Sequence, residues 1–326
     1  MEKIRWGILS TGKIASEFAQ GLAHAPGAEL VAVGSRGVET AQAFGARFNV
    51  PHRHATYEAL VNDPDVDVIY VATPHNLHYA NAKLCLEAGK AALVEKAFTL
   101  NAPQAAGLIG LARQKGLFLM EAMWDRFLPH MVKVRELVKQ GAIGEVRMVK
   151  ADLGFRADFI PEGRLLSPHL AGGALLDVGC YVVSFASMLL GAPNQVIGLS
   201  HLGQTGVDEQ SAILLGYSQG RLAVLSCAVR TLTPQDGYVL GTDGWIRLHA
   251  PFGWSGRLSL KSGSSKEQVI RCPIKGSGYA YEAIEVMRCM RQGSLESQVM
   301  PLDESLAVMQ TLDQLRQQAG LRYPEE

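Results

Sequence analysis

Three residues have the chemistry to handle a hydroxyl group and its proton: Lys96, Asp177 and Tyr181. Lys96 ends an apolar run, and the other two lie in the apolar segment GGALLDVGCY at residues 172–181. On a helix, Asp177 and Tyr181 stand at positions i and i+4 and therefore share one face. Buried polar groups need partners. A hydroxylated substrate together with Lys96 is one set of partners, and a Tyr–Asp pair closed within the core is the other.

The segment that follows the first apolar run has the pattern of a phosphate-binding turn. It fits G-x-G-x-x-G/A with a serine at the first glycine position. A predicted strand precedes it and a predicted helix follows, so backbone N–H groups and the helix dipole can hold a pyrophosphate there. An ordinary strand-to-helix turn is the alternative. The predicted cofactor-binding residues of this turn are Ser10, Thr11, Gly12, Lys13 and Ile14.

The residues after the second apolar strand bear on the choice of cofactor. NAD sites have an acidic residue there that accepts hydrogen bonds from the ribose hydroxyls, whereas this chain has Ser35 and Arg36. An arginine pairs with a 2′-phosphate through its planar fork of donors. The pair therefore predicts NADP rather than NAD. The alternative for Arg36 is a solvated surface position.

Two further polar clusters follow predicted parallel strands. Residues 72–78 read ATPHNLH, and residues 93–98 read LVEKAF. Doubly wound sheets bind ligands at the carboxyl ends of their strands. A lysine at such an end either meets the ligand or extends its ammonium group into water. The residues expected to contact the cofactor are Thr73, Pro74, Asn76, His78, Glu95 and Lys96.

Aromatic and histidine residues give weaker signals. Trp124 and Phe155 are candidates for an apolar wall of the substrate site, although aromatic side chains more often belong to a core. The histidines of segments 52–54 and 75–78 have spacings that metal ligands use. No carboxylate or cysteine stands at a supporting spacing, so no metal is predicted.

The elements that must position these residues change in character along the chain. From Ile4 to about Met120, short apolar runs alternate with helical stretches. The runs show little polar alternation, which is typical of strands covered on both faces. This alternation predicts an α/β fold with a Rossmann domain, a doubly wound parallel sheet, over residues 1–121.

The rhythm changes after residue 122. Helices over Met131–Gln140 and Leu175–Leu190 and a strand over Val146–Phe155 accompany six strand-like runs with turn signals. Residues 122–326 are therefore predicted to form an α+β substrate-binding domain with a predominantly antiparallel open sheet. The segment 172–192 approaches the length of a membrane span but lacks flanking basic anchors, so we interpret it as a buried helix.

The composition excludes several classes of function. The 326 residues include 31 Lys and Arg against 31 Asp and Glu, 48% are hydrophobic and only 19% are charged. Such a chain is a compact globule, and zero net charge offers no broad attraction for nucleic acid or membrane. Five scattered cysteines without a C-x-x-C pair, and no apolar signal-peptide core, predict a cytoplasmic protein with a small-molecule partner.

Together these motifs resemble the glucose-fructose oxidoreductase and inositol dehydrogenase family (Gfo/Idh/MocA). Within it they are most similar to the branch of dimeric dihydrodiol dehydrogenases and NADP-dependent aldose (xylose) dehydrogenases. The resemblance extends over essentially the whole chain. It rests on WGILSTGKIA at 6–15, Ser35-Arg36, ATPHNLH, Glu95-Lys96, EAMWDRFLP at 121–129, GGALLDVGCY and GTDGWIRLH at 241–249.

The resemblance implies roles for the three residues named first. Lys96 corresponds to the lysine of the family's Glu-Lys-Pro motif, beside the nicotinamide and the reacting hydroxyl. Tyr181 stands at the position of the general acid/base, and Asp177 at that of a substrate-binding aspartate. Ala97 replaces the usual proline, which implies a less rigid backbone after Lys96. The family also implies a homodimer formed through the C-terminal sheet.

The expected activity is NADP-dependent hydride transfer between the nicotinamide and a hydroxyl-bearing carbon of a sugar, polyol or cyclic trans-diol. Tyr181, with an ordinary pKa of about 10, needs a cation such as Lys96 to act as a base at neutral pH. Asp177 accepts a hydrogen bond from a neighbouring hydroxyl and so selects polyhydroxy substrates. The alternative is a non-catalytic NADP-binding redox sensor or scaffold, which has no use for the three residues together.

Overall fold

The computed structural model describes residues 3–324 and 326, which form two compact units. The first unit runs to Trp124 and also contains Lys275–Ser305, and the second contains Asp125–Ile274 and the residues from Leu306 onward. The predicted ranges 1–121 and 122–326 come close to the first crossing between units but miss the return of the chain. Residues 1, 2 and 325 of those ranges lie outside the described residues.

The first unit contains a six-stranded parallel sheet in the order β3-β2-β1-β4-β5-β6, which confirms the predicted Rossmann architecture. Strands β4 and β5 are fully buried, as in a sheet covered on both faces. Strand β3 was not predicted, because its three residues carry no apolar signal. The strands are β1 Ile4–Leu9, β2 Ala28–Gly34, β3 His52–His54, β4 Val68–Val71, β5 Ala91–Glu95 and β6 Leu119–Ala122.

Five helices connect these strands, and the alternation of the sequence predicts all five. Their ends follow local signals. Thr56 accepts a hydrogen bond from the backbone N–H of Ala59 at the start of α3, and Asn101 accepts one from Gln104 at the start of α5. Gly116 ends α5 in the left-handed conformation. The helices are α1 Lys13–Leu22, α2 Val38–Phe48, α3 Tyr57–Val61, α4 His78–Glu87 and α5 Ala102–Lys115.

The chain returns to the first unit through a helix at Ala280–Arg291 that the sequence did not predict. Its apolar side, which includes the buried Val286 and Met287, packs near α1. Gly21 of α1 permits this approach, since a Cβ atom there would lie 2.7 Å from Cβ of Tyr279. Hydrophobic periodicity does not reveal which sheet a helix covers, and for this reason the predicted domain division misses it.

The second unit contains an eight-stranded sheet in the order β14-β13-β12-β11-β7-β10-β9-β8. All neighbouring pairs are antiparallel except β7 and β10, which confirms the predicted predominantly antiparallel sheet. The strands are β7 Val146–Gly154, β8 Gln195–Leu202, β9 Asp208–Gly216, β10 Leu222–Ala228, β11 Gly237–Gly241, β12 Gly244–Leu248, β13 Arg257–Ser262 and β14 Gln268–Arg271.

The remaining helices in chain order are α6 Pro129–Lys139, α7 Cys180–Leu190, α8 Ala280–Arg291 and α9 Leu302–Ala319. Among the described residues, one segment, Pro168–Leu190, has the length and apolar composition to cross a membrane, and nearly all of its most apolar part is buried. This agrees with its interpretation as a core helix. All five cysteines are free, and Cys272 is the one that is not buried.

Candidate active site

Four strand ends of the first unit lie at the same edge of its sheet. The register pairs Leu9 with Gly34 on one side and with Val71 on the other, and it pairs Val71 with Val94. The strand order changes direction between β1 and β4, the switch point at which doubly wound sheets bind dinucleotides. These strand ends, the turns after them and the first residues of the helices that follow contain the predicted residues Ser10, Thr11, Gly12, Lys13, Ile14, Ser35, Arg36, Thr73, Pro74, Asn76, His78, Glu95 and Lys96.

The turn from Ser10 to Ile14 fits a pyrophosphate. Helix α1 begins after Gly12, which provides no side-chain cap, and the first turn carries no acidic residue. The N–H groups of that turn are thus available to an anion. A Cβ atom at Gly12 would meet only Ser10 Oγ, at 3.9 Å, so the space before the helix is open. Ser10 has a φ of 101°, a conformation typical of the glycine that it replaces.

Ser35 and Arg36 follow β2 at this edge. Ser35 is buried, and its Oγ lies 2.6 Å from Oγ1 of Thr40, whereas Arg36 is exposed. Tyr57, which sequence reasoning missed, lies close by. Burial raises the pKa of Tyr57 above its ordinary value, against the lowering effects of Arg36 and of a hydrogen bond with Ser10. Its phenol therefore stays protonated and can donate a hydrogen bond to a cofactor.

Buried hydrogen bonds fix the backbone that follows β5. The ring nitrogens of His78 lie 2.8 Å from the carbonyl oxygen of Ala97 and 2.7 Å from that of Thr73. Burial lowers the pKa of His78 to about 4, so the ring is neutral and donates to one of these oxygens. The N–H of Phe98 donates to Oε1 of Glu121 at 3.0 Å. Contacts with both polar groups of the Ala97–Phe98 peptide thus oppose the looser backbone expected from the missing proline.

Glu95 and Lys96 differ in their surroundings. Glu95 is buried, accepts a hydrogen bond from the hydroxyl of Tyr70, and also accepts the backbone N–H of Lys96 at 3.2 Å. Lys96 is half-buried, and its peptide bond to Ala97 is cis. Glu95 therefore orients the strand end, while Lys96 is the member of the pair that a ligand can reach.

In the second unit, Asp177 lies in a π-helical turn, Leu175–Gly179, and not in the continuous α-helix that was predicted. The α-helix begins only at Cys180, so the predicted α-helix over Leu175–Leu190 is wrong for its first five residues, while the shared face of Asp177 and Tyr181 stays a prediction. Asp177 is buried, and its Oδ1 accepts a hydrogen bond from Nη1 of Arg164 at 2.5 Å. Arg164 was not predicted, because its loop carries no pattern that links it to this turn.

A second buried carboxylate supports this turn. Oδ2 of Asp208 accepts the backbone N–H of Leu175 at 2.7 Å and the hydroxyl of Ser211 at 3.2 Å. A Cβ atom at Gly173, whose φ is 118°, would collide with the carboxylate. Burial raises the pKa of Asp208 to about 7, against the hydrogen bond from Leu175. Asp208 therefore anchors the turn that carries Asp177.

The aromatic candidates have partners that the sequence did not reveal. Tyr181 is buried in α7, and its ring meets that of Trp254 edge-on, with 6.2 Å between centroids. Phe155 directly follows β7 and is partly exposed. In the first unit, Trp124 stacks on Tyr279 with 4.8 Å between centroids. Trp254 and Tyr279 therefore join the candidates as aromatic neighbours of predicted site residues.

The expectation that the histidines of segment 52–54 lack a supporting carboxylate is wrong. Oδ2 of Asp63 lies 2.7 Å from Nδ1 of His52 and 2.8 Å from Nε2 of His54. Asp63 follows α3, and this short helix reverses the chain so that Asp63 lies beside β3. The ring of His78, in contrast, is held between backbone carbonyls.

Comparison with known proteins identifies the class of protein. The model of an oxidoreductase family with an NAD-binding Rossmann fold, GFO/IDH/MocA, matches residues 4–123. The model of the GFO/IDH/MocA C-terminal domain matches residues 131–247. The chain therefore belongs to the GFO/IDH/MocA family of oxidoreductases, which confirms the resemblance seen in its motifs.

Individual relatives agree over the full length. Trans-1,2-dihydrobenzene-1,2-diol dehydrogenase of Mus musculus is 38% identical over 335 residues, covering 99% of each chain, and that of Homo sapiens is 36% identical with the same coverage. A 3-ketoreductase from Actinomadura kijaniata in complex with NADP and TDP-benzene has a TM-score of 0.86 and 26% identity over 98% of each chain. An aldose-aldose oxidoreductase from Caulobacter crescentus shares the fold, with a TM-score of 0.90 and 24% identity over 98% of each chain. The relatives favour an enzyme over a redox sensor.

Proposed function

We propose that this enzyme transfers a hydride between NADP and a hydroxyl-bearing carbon of a sugar, polyol or cyclic trans-diol. The observation that carries the proposal is the arrangement of Ser10, Arg36 and Lys96 after parallel strands at one edge of the sheet. A phosphate-binding turn, a cation for a 2′-phosphate and an accessible lysine together suit an NADP-dependent dehydrogenase. The diol dehydrogenase relatives support the substrate class, and the NADP-bound 3-ketoreductase supports the cofactor.

The chain holds the cofactor at two places in this proposal. NADP, when bound, supplies or accepts the hydride. Backbone N–H groups after Gly12 bind the pyrophosphate at the start of α1. Arg36 pairs with the 2′-phosphate, and Ser35 steadies that turn through its hydrogen bond to Thr40. Tyr57 adds a phenol donor beside Arg36.

Proton transfer falls to Tyr181. A phenol donates its proton to the oxygen of a carbonyl that is being reduced, and in the opposite direction it accepts the proton of the alcohol. Lys96 donates a hydrogen bond to the reacting oxygen. Asp177, held by Arg164, accepts a hydrogen bond from a further substrate hydroxyl, which favours polyhydroxy substrates.

The proposal is tested by mixing the purified protein and NADP with xylose, glucose and cyclic trans-diols and following the absorbance of the reduced nicotinamide. We expect turnover with at least one of these substrates and a higher kcat/KM with NADP than with NAD. Lys96→Met is the matched control, because it keeps a long side chain but removes the ammonium group that is proposed to donate to the reacting oxygen. We expect its turnover to be lower than that of the wild type. Absence of turnover with all of these substrates, measured in both directions, contradicts the proposal.

We also propose that the enzyme is a homodimer formed through the exposed face of the sheet in the second unit. Ile197, Leu214 and Val224 occupy neighbouring register positions on β8, β9 and β10 and are 59%, 51% and 37% exposed. Contiguous apolar patches on a protein surface mark interaction sites. The alternation of β8, with every second residue exposed, extends this apolar face along the strand.

Size-exclusion chromatography with light scattering tests the dimer. Leu214→Glu places a charge in the middle of the apolar row, and we expect it to give a monomer. Leu232→Glu is the control, because Leu232 is 75% exposed in the loop after β10 and lies outside this row. A monomeric wild-type protein contradicts the proposal.

A further inference from the structure

Two imidazole rings and one carboxylate converge at the edge strand of the first unit's sheet. Nδ1 of His52 lies 2.7 Å and Nε2 of His54 lies 2.8 Å from the same atom, Oδ2 of Asp63. Within the described residues, this group has ligand atoms that all lie within 4.8 Å of one another. The proposed cofactor and substrate contacts make no use of these three side chains.

Strand β3 holds both rings on one side of the chain. Residues i and i+2 of a strand point to the same face, so His52 and His54 point together while Arg53 points to the opposite face. Arg53 donates there to Oε1 of Gln42. Because β3 is paired with β2, the backbone of both histidines is fixed.

Asp63 is prepared to act as an anionic ligand. Its side chain is only 3% exposed, whereas those of His52 and His54 are 38% and 24% exposed. Oδ1 of Asp63 accepts the backbone N–H of Asp65 at 2.9 Å, which directs Oδ2 toward the rings. Oδ2 is thus the carboxylate oxygen that both ring nitrogens face.

We propose that His52, His54 and Asp63 form a binding site for a divalent transition-metal ion of the zinc class. Imidazole nitrogens with one carboxylate oxygen are the donors that such ions prefer, whereas Mg²⁺ and Ca²⁺ take oxygen ligands. Three protein ligands leave one tetrahedral position for water. The partly exposed rings give the ion a path from solvent.

Small movements convert the hydrogen-bonded cluster into a coordination site. Metal–ligand bonds of about 2.0–2.2 Å put tetrahedral ligand atoms roughly 3.3 Å apart, so each ring must retreat by about 0.6 Å from Asp63. The two ring nitrogens, which lie within 4.8 Å of each other, must reach the same separation. When Nδ1 of His52 binds the ion, the ring proton moves to Nε2. Nε2 lies 3.9 Å from Oδ2 of Asp65, so an outer carboxylate is at hand to support the ligand, as at many metal-bound histidines.

Two neighbouring cations leave the ligand atoms accessible. Arg5 pairs with Asp65 at 2.9 Å, and Nζ of Lys90 donates to the backbone carbonyl oxygen of Asp63 at 2.6 Å. The positive charges of Arg5 and Lys90 weaken the attraction of the cluster for a metal ion. Neither is hydrogen-bonded to Oδ2 of Asp63, so that atom remains directed toward the two rings.

Calorimetric titration of the metal-free full chain with Zn²⁺ tests the site. We expect one saturable site per chain in the wild type and a loss of affinity of at least about tenfold in His52→Gln, since changes even to outer-shell partners have this effect. His24→Gln is the matched control, because His24 is an exposed histidine outside the cluster and its loss leaves the affinity unchanged. Co²⁺ in place of Zn²⁺ is expected to give visible absorption bands that His52→Gln abolishes.

Thermal unfolding gives a second readout that does not depend on oxidoreductase activity or on the proposed function. An ion that binds only the folded state raises Tm, so Zn²⁺ should raise the Tm of the wild type but not that of His52→Gln. The substitution is made at half-exposed His52 and not at buried Asp63 in order to preserve the fold. The site is refuted if the wild type binds no Zn²⁺ saturably. It is also refuted if His52→Gln binds Zn²⁺ as tightly as the wild type. In that case Cys272→Ser shows whether the ion binds instead at Cys272, the cysteine that is not buried.

Discussion

The two units position their proposed functional residues by different means. In the first unit, Ser10, Arg36 and Lys96 follow parallel strands, and strand pairing sets their alignment. In the second unit, Asp177 lies on a π-helical turn that is held by side-chain contacts from Arg164 and Asp208. Backbone hydrogen bonds thus position the proposed cofactor residues, and side-chain contacts position the proposed substrate residues. Substitutions in the two units should therefore separate cofactor effects from substrate effects.

The largest effect is expected from Tyr181 in the second unit. Tyr181→Phe removes one hydroxyl and is expected to lower kcat by about a hundredfold to ten-thousandfold, the usual contribution of a general acid/base. The KM for NADP is expected to stay the same, because the proposed cofactor contacts belong to the first unit. Steady-state kinetics and the Tm of the same preparation give the measurement.

Two results decide the role of Tyr181. A destabilised Tyr181→Phe variant with normal turnover per folded molecule makes it a core tyrosine and not a catalytic one. A double-mutant cycle with Lys96→Met sharpens the test. Residues that act on one chemical step show strongly non-additive effects, whereas independent residues show additive ones.

The next largest effect is expected from Arg36 in the first unit, on the KM for the cofactor. Arg36→Ala is expected to raise the KM for NADP about tenfold to a hundredfold, because each charge-assisted hydrogen bond lost corresponds to about 1.5–3 kcal/mol. The KM for NAD should change little, since NAD lacks the 2′-phosphate. Lys83→Ala removes the same charge from the exposed Lys83 of α4 and serves as the control. Equal changes for both cofactors show that Arg36 does not read the phosphate.

A smaller effect is expected from the support of Asp177. Arg164→Ala should raise the KM for the substrate about tenfold, near the lower end expected for a charge-assisted hydrogen bond. Arg164 is 51% exposed, so water replaces part of its contribution. Arg164→Lys keeps the charge but not the planar fork, so its KM for the substrate should lie between that of the wild type and that of Arg164→Ala. A change confined to the KM for NADP would assign Arg164 a different role.

The smallest effect concerns stability and not activity. The folded pKa of Asp208 is raised to about 7 from an ordinary value of 3.8, so the stabilisation by its protonated form is full below about pH 4 and is lost as the pH rises toward 7. Asp208→Asn does not titrate. Its deficit in unfolding free energy, about 1 kcal/mol near pH 5 from an altered hydrogen bond, is expected to shrink as the pH reaches about 8.

Urea unfolding at several pH values measures this difference. The control is Asp158→Asn, because Asp158 is exposed and its substitution should leave the pH dependence unchanged. A deficit of Asp208→Asn that stays constant from about pH 5 to about pH 8 shows that the carboxyl of Asp208 is ionised throughout that range.

The sequence by itself determined the fold class, the family and the proposed cofactor residues. Ser10, Arg36 and Lys96 each follow an apolar run, and the ends of parallel strands meet at one edge whatever the loops between them. Local propensity and period are enough for this, because strand pairing needs no particular side-chain contact. Tyr57 is the exception at this edge, since its nearness to Ser10 and Arg36 depends on how α3 packs.

Only the tertiary structure decided which side chains meet. Arg164 and Asp208 hold the turn of Asp177, Trp254 meets Tyr181, and Asp63 joins the histidines of β3. Each of these partners is separated from the group it contacts by a loop or by whole elements, so no local period connects them. The π-helical turn belongs here too, because buried contacts select it over the α-helix that local pattern predicts. A sequence pattern fixes the direction of a side chain from its own backbone, whereas a contact also depends on where the second backbone is packed.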